Sequence, residues 1–252
     1  ARVAFVAMGR YGGRECSYAS DADVIALHEA VGGASDSEAA ASATAIVNRV
    51  KKLLGSATSQ LGIVVDLDLR PEGKNGPMSR TIASHEEYAQ RWASTWERQA
   101  AVRARPIGDG GLAQAARSLF ESMAYRDVSE AEVRDIRLLK ARMENERLPR
   151  GTEPARHVKL GPGGLTDVEW TIQLIQMRHG REVEALRTSS TTDAIAAARD
   201  AGLLGASDAE ILLNAWDLAT RIRAGNTLAT GRMSGVKLDV VPRDSAELGA
   251  LA

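Results

Sequence analysis

Cysteine is almost absent from this 252-residue chain. Cys16 stands alone, which excludes an internal disulfide framework and any metal site built from several thiolates. Aromatic residues are scarce at 4%, and no apolar run approaches the ~20 residues of a membrane-spanning helix. Excess charge of one sign is missing too. Lys plus Arg number 32 against 33 Asp plus Glu, a net charge of −1, so nucleic-acid binding through general phosphate electrostatics is disfavoured. The chain opens with neither an initiator Met nor a signal peptide, and residues 3–8 (VAFVAM) already read as a buried strand. The expectation is a cytoplasmic fragment of a longer polypeptide, with no membrane or nucleic-acid partner.

What the chain has in quantity is alanine, the best helix former, on a background of 44% hydrophobic and 26% charged residues. At ~150 residues per domain the length allows one to two domains, each with a real core. The first third alternates strand and helix signals. Strands are expected at 3–8, 24–27 and 63–69, with an amphipathic helix at 37–60 carried by Ala43, Ile46, Val47, Val50, Leu53 and Leu54. A glycine-rich stretch, GRYGGRECSYAS, separates the first two strands. From Ser84 onward no comparable strand signal appears. Ser84-His-Glu-Glu fits a capping box opening a helix through Trp92 and Trp96 towards Arg105-Pro106. Further helices are expected at 109–123, 129–147, 165–179, 190–201 and 207–230, the tail after Gly231 being loop or frayed end. The fold class expected is α+β: a small α/β domain over 1–106 followed by a helical-bundle domain over 107–252.

The chemistry concentrates in carboxylates. Asp21 and Asp23 alternate along a strand and therefore share a face. Two carboxylates held together repel unless a cation sits between them, and all-oxygen ligands suit Mg²⁺. Asp66 and Asp68 repeat the alternation in VDLDL, with Val65, Leu67 and Leu69 turned towards the core.

Gly12-Gly13, a short spacer, Asp21-x-Asp23 between apolar residues and a third Asp on a later strand together resemble the nucleotidyltransferase superfamily of DNA polymerase β. That resemblance implies that Asp21, Asp23 and Asp66 hold two Mg²⁺ ions as a two-metal clamp on ATP. Gly12 and Gly13 would let backbone amides approach the triphosphate, and Ser20 would add a hydroxyl contact. Four longer blocks, MGRYGGRECSYASDADVI, DLDLRPEGKNGPMSRT, TWERQAAVRARPIGD and HVKLGPGGLTDVEWTIQLIQ, narrow the likeness. In this order they resemble glutamine synthetase adenylyltransferase from Val3 to about Arg232. That family joins two similar halves, one adenylylating a tyrosine of glutamine synthetase and the other removing the AMP by phosphorolysis. The TWERQA and VRAR runs are more similar to the C-terminal, adenylylating half. The implied reaction is AMP transfer from ATP to a tyrosine hydroxyl, with Mg²⁺ as cofactor and glutamine synthetase as protein substrate. The implied partners are the PII signal-transduction protein, as regulator, and the missing N-terminal half. The alternatives are the deadenylylating half and a non-catalytic module that binds nucleotide or PII.

Around that core, Arg70, Arg103 and Arg105 are candidates to grip triphosphate oxygens, with pairing to Asp66, Asp68 or Glu97 as the competing role. Arg70 leads, because its strand would carry it on the carboxylate face. Asp68 has a basic residue in its place in many relatives, and a structural pairing, with Arg70 for example, is favoured for it. Lys159, before the Gly161-Pro-Gly-Gly turn, is weighed evenly between nucleotide contact and an interdomain turn, and Asp167 between the site and the charge of a helix N-terminus. Lys74 occupies an exposed turn. His28, His85, His157 and His179 lack metal-site spacing and read as solvated or capping groups. Trp92, Trp96, Trp170 and Trp216 read as packing, Cys16 has no base near it in sequence, and Arg142 with Glu146 marks a solvated, ion-paired helix face.

Overall fold

The computed structural model describes residues 1–18, 20–55, 62–232, 235–243 and 249. They fall into two compact units, one of residues 1–16 and 20–126, the other of residues 17–19 and 127–252. The division follows Arg126 rather than Pro106 because the helix beyond Pro106 packs on the sheet of the first unit.

In the first unit, β1 (Arg2–Ala7) and β2 (Ala22–Glu29) pair antiparallel, in a register running from Arg2 opposite Glu29 to Ala7 opposite Val24. A two-residue β3 (Val65–Asp66) lies parallel to β2, and β4 (Arg105–Pro106) antiparallel to β1, giving the order β3-β2-β1-β4. Residues 24–28 of β2 are buried without interruption, as in a strand covered on both faces. Val24 and Ala26 pack with Val47 of helix α2 (Asp36–Gly55), Val65 and Leu67, while Ile25 and Leu27 alternate to the other side. The helix expected at 37–60 thus runs to Gly55, and residues 56–60 lie outside the described ones. Inside the glycine-rich stretch sits a one-turn helix, α1 (Gly9–Gly12).

Three expectations here need correction. The strand expected at 63–69 shrinks to β3, because the Asp68 amide donates to Asp66 Oδ1 at 2.6 Å and turns the chain out of the sheet. The single helix expected from Ser84 is two, α3 (Ile82–Arg91) and α4 (Thr95–Ala101). Thr81 caps the first, taking the Ser84 amide on Oγ1 at 3.1 Å; the capping box is Ser94 with Glu97, which also takes the Tyr88 hydroxyl at 2.9 Å. Such a cap stabilises a helix start by about 1 kcal/mol, enough to place the break at 92–94. β4, too short to show any period, is the strand missed after residue 84. α5 (Gly111–Ala124) packs its Leu112, Ala116, Leu119 and Phe120 face inward, and buried Arg98 ties α4 to its end through the carbonyls of Met123 (3.0 Å) and Arg126 (3.1 Å).

The second unit is helical: α6 (Glu130–Arg147), α7 (Leu165–His179), α8 (Thr191–Asp200) and α9 (Ala206–Thr230). Leu165, Ile172, Leu186, Ile195 and Trp216 form its core. An ion pair on α6 joins Lys140 to Glu144. Of the tail expected as loop or frayed end, the described residues 235–243 are tied to this unit, and residues 233–234, 244–248 and 250–252 lie outside the described ones. Val158 donates to the Asp239 carbonyl at 2.8 Å, Val241 to Arg156 at 2.8 Å, and Asn226 Nδ2 to Leu238 and Val240 at 3.1 Å each, while Arg223 pairs with Asp239.

Two histidines, His28 and His85, and two tryptophans depart from expectation in opposite directions, while His157 caps a local turn from a buried position. His28, His85 and His157 are buried, while Trp92 is 73% exposed beside the helix break. His28 Nδ1 meets Ser79 Oγ at 3.0 Å, His157 Nδ1 takes the Leu160 amide at 3.0 Å, and His85 lies edge-on to Phe120 with ring centres 5.2 Å apart. Trp96 is also exposed, whereas Trp216 packs in the core as expected.

Candidate active site

The parallel register of β2 and β3 sets Asp23 beside Asp66, and Ala22 carries Asp21 to the same end by donating its amide to the Val64 carbonyl at 2.8 Å. One carboxylate oxygen from each of Asp21, Asp23 and Asp66 lies within 4.8 Å of the other two. Near a protein surface, unit charges at that separation repel by about 3 kcal/mol per pair before salt screening. Three oxygen-only donors at one point, with Asp21 exposed and the other two half-buried, fit a hard divalent cation reached from solvent. Asp66 Oδ1 is engaged by the Asp68 amide, which orients the carboxylate and leaves its second oxygen for a ligand.

Gly9, at the start of the glycine-rich stretch, lies against this cluster. Its φ is +50°, and a Cβ there would stand 2.9 Å from Asp23 Oδ2. Only a glycine lets the Asp23 carboxylate lie this close against the chain. Gly12 and Gly13 have a different task from the expected one. Their amides donate to the carbonyls of Met8 (2.7 Å) and Gly9 (3.1 Å), inside α1, rather than standing open towards an anion. A Cβ on Gly12 would lie 1.9 Å from the Arg103 carbonyl oxygen, so this glycine serves a close crossing of two chain segments. Ser20 is half-buried and bonds the Cys16 thiol; burial pushes that thiol up, and the Ser20 bond works against the shift.

The arginines expected on triphosphate oxygens are spent on carbonyls. Arg70 is not on a strand face at all. It is buried in the turn after β3, donating to Leu67 at 2.8 Å and to Gly76 and Lys74 at 3.2 Å each. Asp68 takes the structural role favoured for it, with Arg70 at 3.9 Å and the exposed Lys74 at 3.3 Å. Arg103 and Arg105 both bond α1. Lys159 lies in the second unit, exposed, its carbonyl accepting the Thr166 amide (3.0 Å) and hydroxyl (2.8 Å). Gly161 and Gly164 there are packed against carbonyls closer than any Cβ permits. Asp167 fixes this turn by taking the Gly163 amide at 2.6 Å and pairing with Lys140. Burial opposes the Lys140 charge, but its bonds to Asp167 and Glu144 outweigh burial and raise the ammonium pKa.

A family model described as glutamate-ammonia ligase adenylyltransferase matches residues 1–119, and one described as PII-uridylyltransferase matches residues 137–234. The bifunctional glutamine synthetase adenylyltransferase/adenylyl-removing enzyme of Streptomyces coelicolor is 46% identical over 253 residues, 99% of this chain and 25% of that protein. Along nearly its whole length the chain is similar to bifunctional glutamine synthetase adenylyltransferase/adenylyl-removing enzymes. Proteins of the same description from Bifidobacterium longum subsp. infantis (46% over 257 residues, all of this chain and 24% of that one) and Mycobacterium marinum (42% over 255 residues, all of this chain and 25% of that one) are similarly close. The chain therefore spans about a quarter of the length of the relatives it matches. No helix among the described residues is long and apolar enough to cross a membrane.

Proposed function

We propose that this chain transfers AMP from ATP to a tyrosine hydroxyl of glutamine synthetase. The observation that carries the reading is the convergence of Asp21, Asp23 and Asp66 on one point of the small sheet, in a chain whose relatives are described as adenylyltransferase and adenylyl-removing enzymes. The tyrosine oxygen bonds to the α-phosphorus, the bond from that phosphorus to the bridging oxygen breaks, and pyrophosphate leaves. The phenol, with a pKa near 10, gives up its proton at the carboxylate cluster. Asp21, Asp23 and Asp66 would hold two Mg²⁺ ions; when bound, these activate the attacking oxygen and neutralise the leaving pyrophosphate. The protein supplies little covalent chemistry in such transfers, so positioning of the carboxylates is its main contribution. Ser20 would add a hydroxyl contact. PII is the regulator this reading implies, and the remainder of the polypeptide the missing half.

The adenylylating direction rests on the likeness of the 95–105 block to that half. Intact-mass spectrometry of glutamine synthetase incubated with the chain, Mg²⁺ and ATP should show a gain of one AMP per modified subunit, absent with Asp21→Asn. Loss of AMP from pre-modified synthetase on adding phosphate, with no gain from ATP, would assign the chain to deadenylylation. Neither change, with wild type and Asp21→Asn binding Mg-ATP alike, would refute the catalytic reading.

A further inference from the structure

α1 is a single turn of four residues, far too short to hold itself together, so its orientation is imposed from outside. The imposing groups come from the segment entering β4. Arg103 is buried, donates from Nε to the Gly9 carbonyl at 3.1 Å and pairs with Glu15. Arg105 donates from Nε to the Gly12 carbonyl at 2.8 Å and from Nη2 to that of Tyr11 at 2.9 Å, with its guanidinium carbon 5.7 Å from the centre of the Tyr11 ring. The backbones touch as well, Gly12 lying against the Arg103 carbonyl. Two cations thus meet the carbonyls of α1, where partial negative charge collects. The element held this way begins with Gly9, and Gly9 is the residue that abuts the Asp23 carboxylate.

We infer that Arg103 and Arg105 are positioning residues for the divalent-cation site: they fix α1 so that Gly9 seats the Asp23 carboxylate, and through it Arg105 sets the cation affinity. This rests on the metal-holding role proposed for the carboxylates. Arg105 gives the cleaner test, because removing Arg103 also breaks its ion pair with Glu15. A lysine at 105 keeps the charge but loses the planar fork that reaches two carbonyls at once. Mn²⁺ binding to the chain without nucleotide, followed by electron paramagnetic resonance, is compared for wild type, Arg105→Lys, Arg105→Ala and Asp23→Asn, with thermal melts as the fold control. Loss of a supporting contact typically costs a metal site about tenfold or more in affinity, so Arg105→Ala should weaken Mn²⁺ binding by at least that, and Arg105→Lys by less. If Arg105→Ala does not fold, a weakened affinity in folded Arg105→Lys supports the inference and an unchanged one overturns it. Unchanged Mn²⁺ affinity in both folded variants also overturns it. Weaker ATP binding with Mn²⁺ affinity intact overturns it in favour of a direct phosphate contact. Equal Mn²⁺ binding by wild type and Asp23→Asn, or none by wild type, brings down the carboxylate reading itself and this inference with it.

Discussion

Gly9 and Gly12 sit three residues apart in α1, yet adding one methyl group to each should fail in different ways. At Gly9 an alanine must adopt φ +50°, which costs an L-residue about 1–2 kcal/mol, and its Cβ meets Asp23 Oδ2 at 2.9 Å. That obstacle is the far end of a side chain, which can swing aside. Gly9→Ala should therefore fold, melting lower by about 4 °C per kcal/mol, while displacing one ligand of the cation site. At Gly12 the Cβ meets two main-chain oxygens, Arg103 O at 1.9 Å and Ala7 O at 2.8 Å, and neither can rotate away. Relief requires moving β1 or the segment before β4, so the cost should exceed the ~1–3 kcal/mol usual for overpacking. Melting curves and Mn²⁺ titrations of both variants separate the two effects. Gly9→Ala should lose cation affinity out of proportion to stability; Gly12→Ala should lose stability first. Full Mn²⁺ affinity in Gly9→Ala would refute the seating of Asp23 on this glycine, and a wild-type melt in Gly12→Ala would refute the close crossing.

Arg70→Lys should lower the melting temperature with little change in KM for ATP, since a point-like ammonium cannot replace donors to three carbonyls; an unchanged melt with a raised KM would return Arg70 to the triphosphate. His85 predicts an acid-labile first unit. Burial, with Arg80 adding to it, lowers its pKa from 6.5 to about 4, so between those values the unfolded chain binds more protons than the folded one. Stability is then unaffected above pH 6.5 and falls by up to about 3 kcal/mol as the pH drops towards 4. His85→Leu should flatten this part of the stability curve in denaturant titrations at pH 7, 5.5 and 4.5, and an unaltered slope would sink the assignment.

Much of the second unit was legible because a serine or glycine stands at each helix start, Ser129, Gly164, Ser190 and Gly205. The expected span 165–179 is the observed α7, and the expected starts and ends of α6, α8 and α9 fall within a residue of those seen. The first unit hid more, for local reasons. The VDLDL alternation is a sound strand pattern, but the Asp68 amide and the Arg70 guanidinium pull the chain into a turn after Asp66. Ser84-x-x-Glu87 and Ser94-x-x-Glu97 both have capping-box spacing; Thr81 pre-empts the first by capping three residues earlier. His28 and His85 read as polar because nothing in their neighbours announces that Ser79 and Phe120 will cover them.

The candidate site divides along the same line. Its carboxylates were legible from their spacing: Asp21 and Asp23 stand two residues apart across the start of β2, and β3 pairs beside β2 in register. The groups that hold them have no such spacing. Gly9 owes its importance to the Asp23 carboxylate, and Arg105 owes its own to carbonyls 93 and 94 positions away in the chain. Arg70, Arg103 and Arg105, expected either on triphosphate oxygens or paired with carboxylates, donate mainly to main-chain oxygens, with Arg103 also paired to Glu15. Their hydrogen bonds run inward, to main-chain oxygens of two short segments that lack the length to be stable alone. A site that gathers three carboxylates must hold them against mutual repulsion when no cation is bound. Here the holding falls to backbone: the Asp68 amide bonds Asp66, and the α1 turn that seats Asp23 at Gly9 is tied down by Arg103 and Arg105, so no anion is added to the cluster.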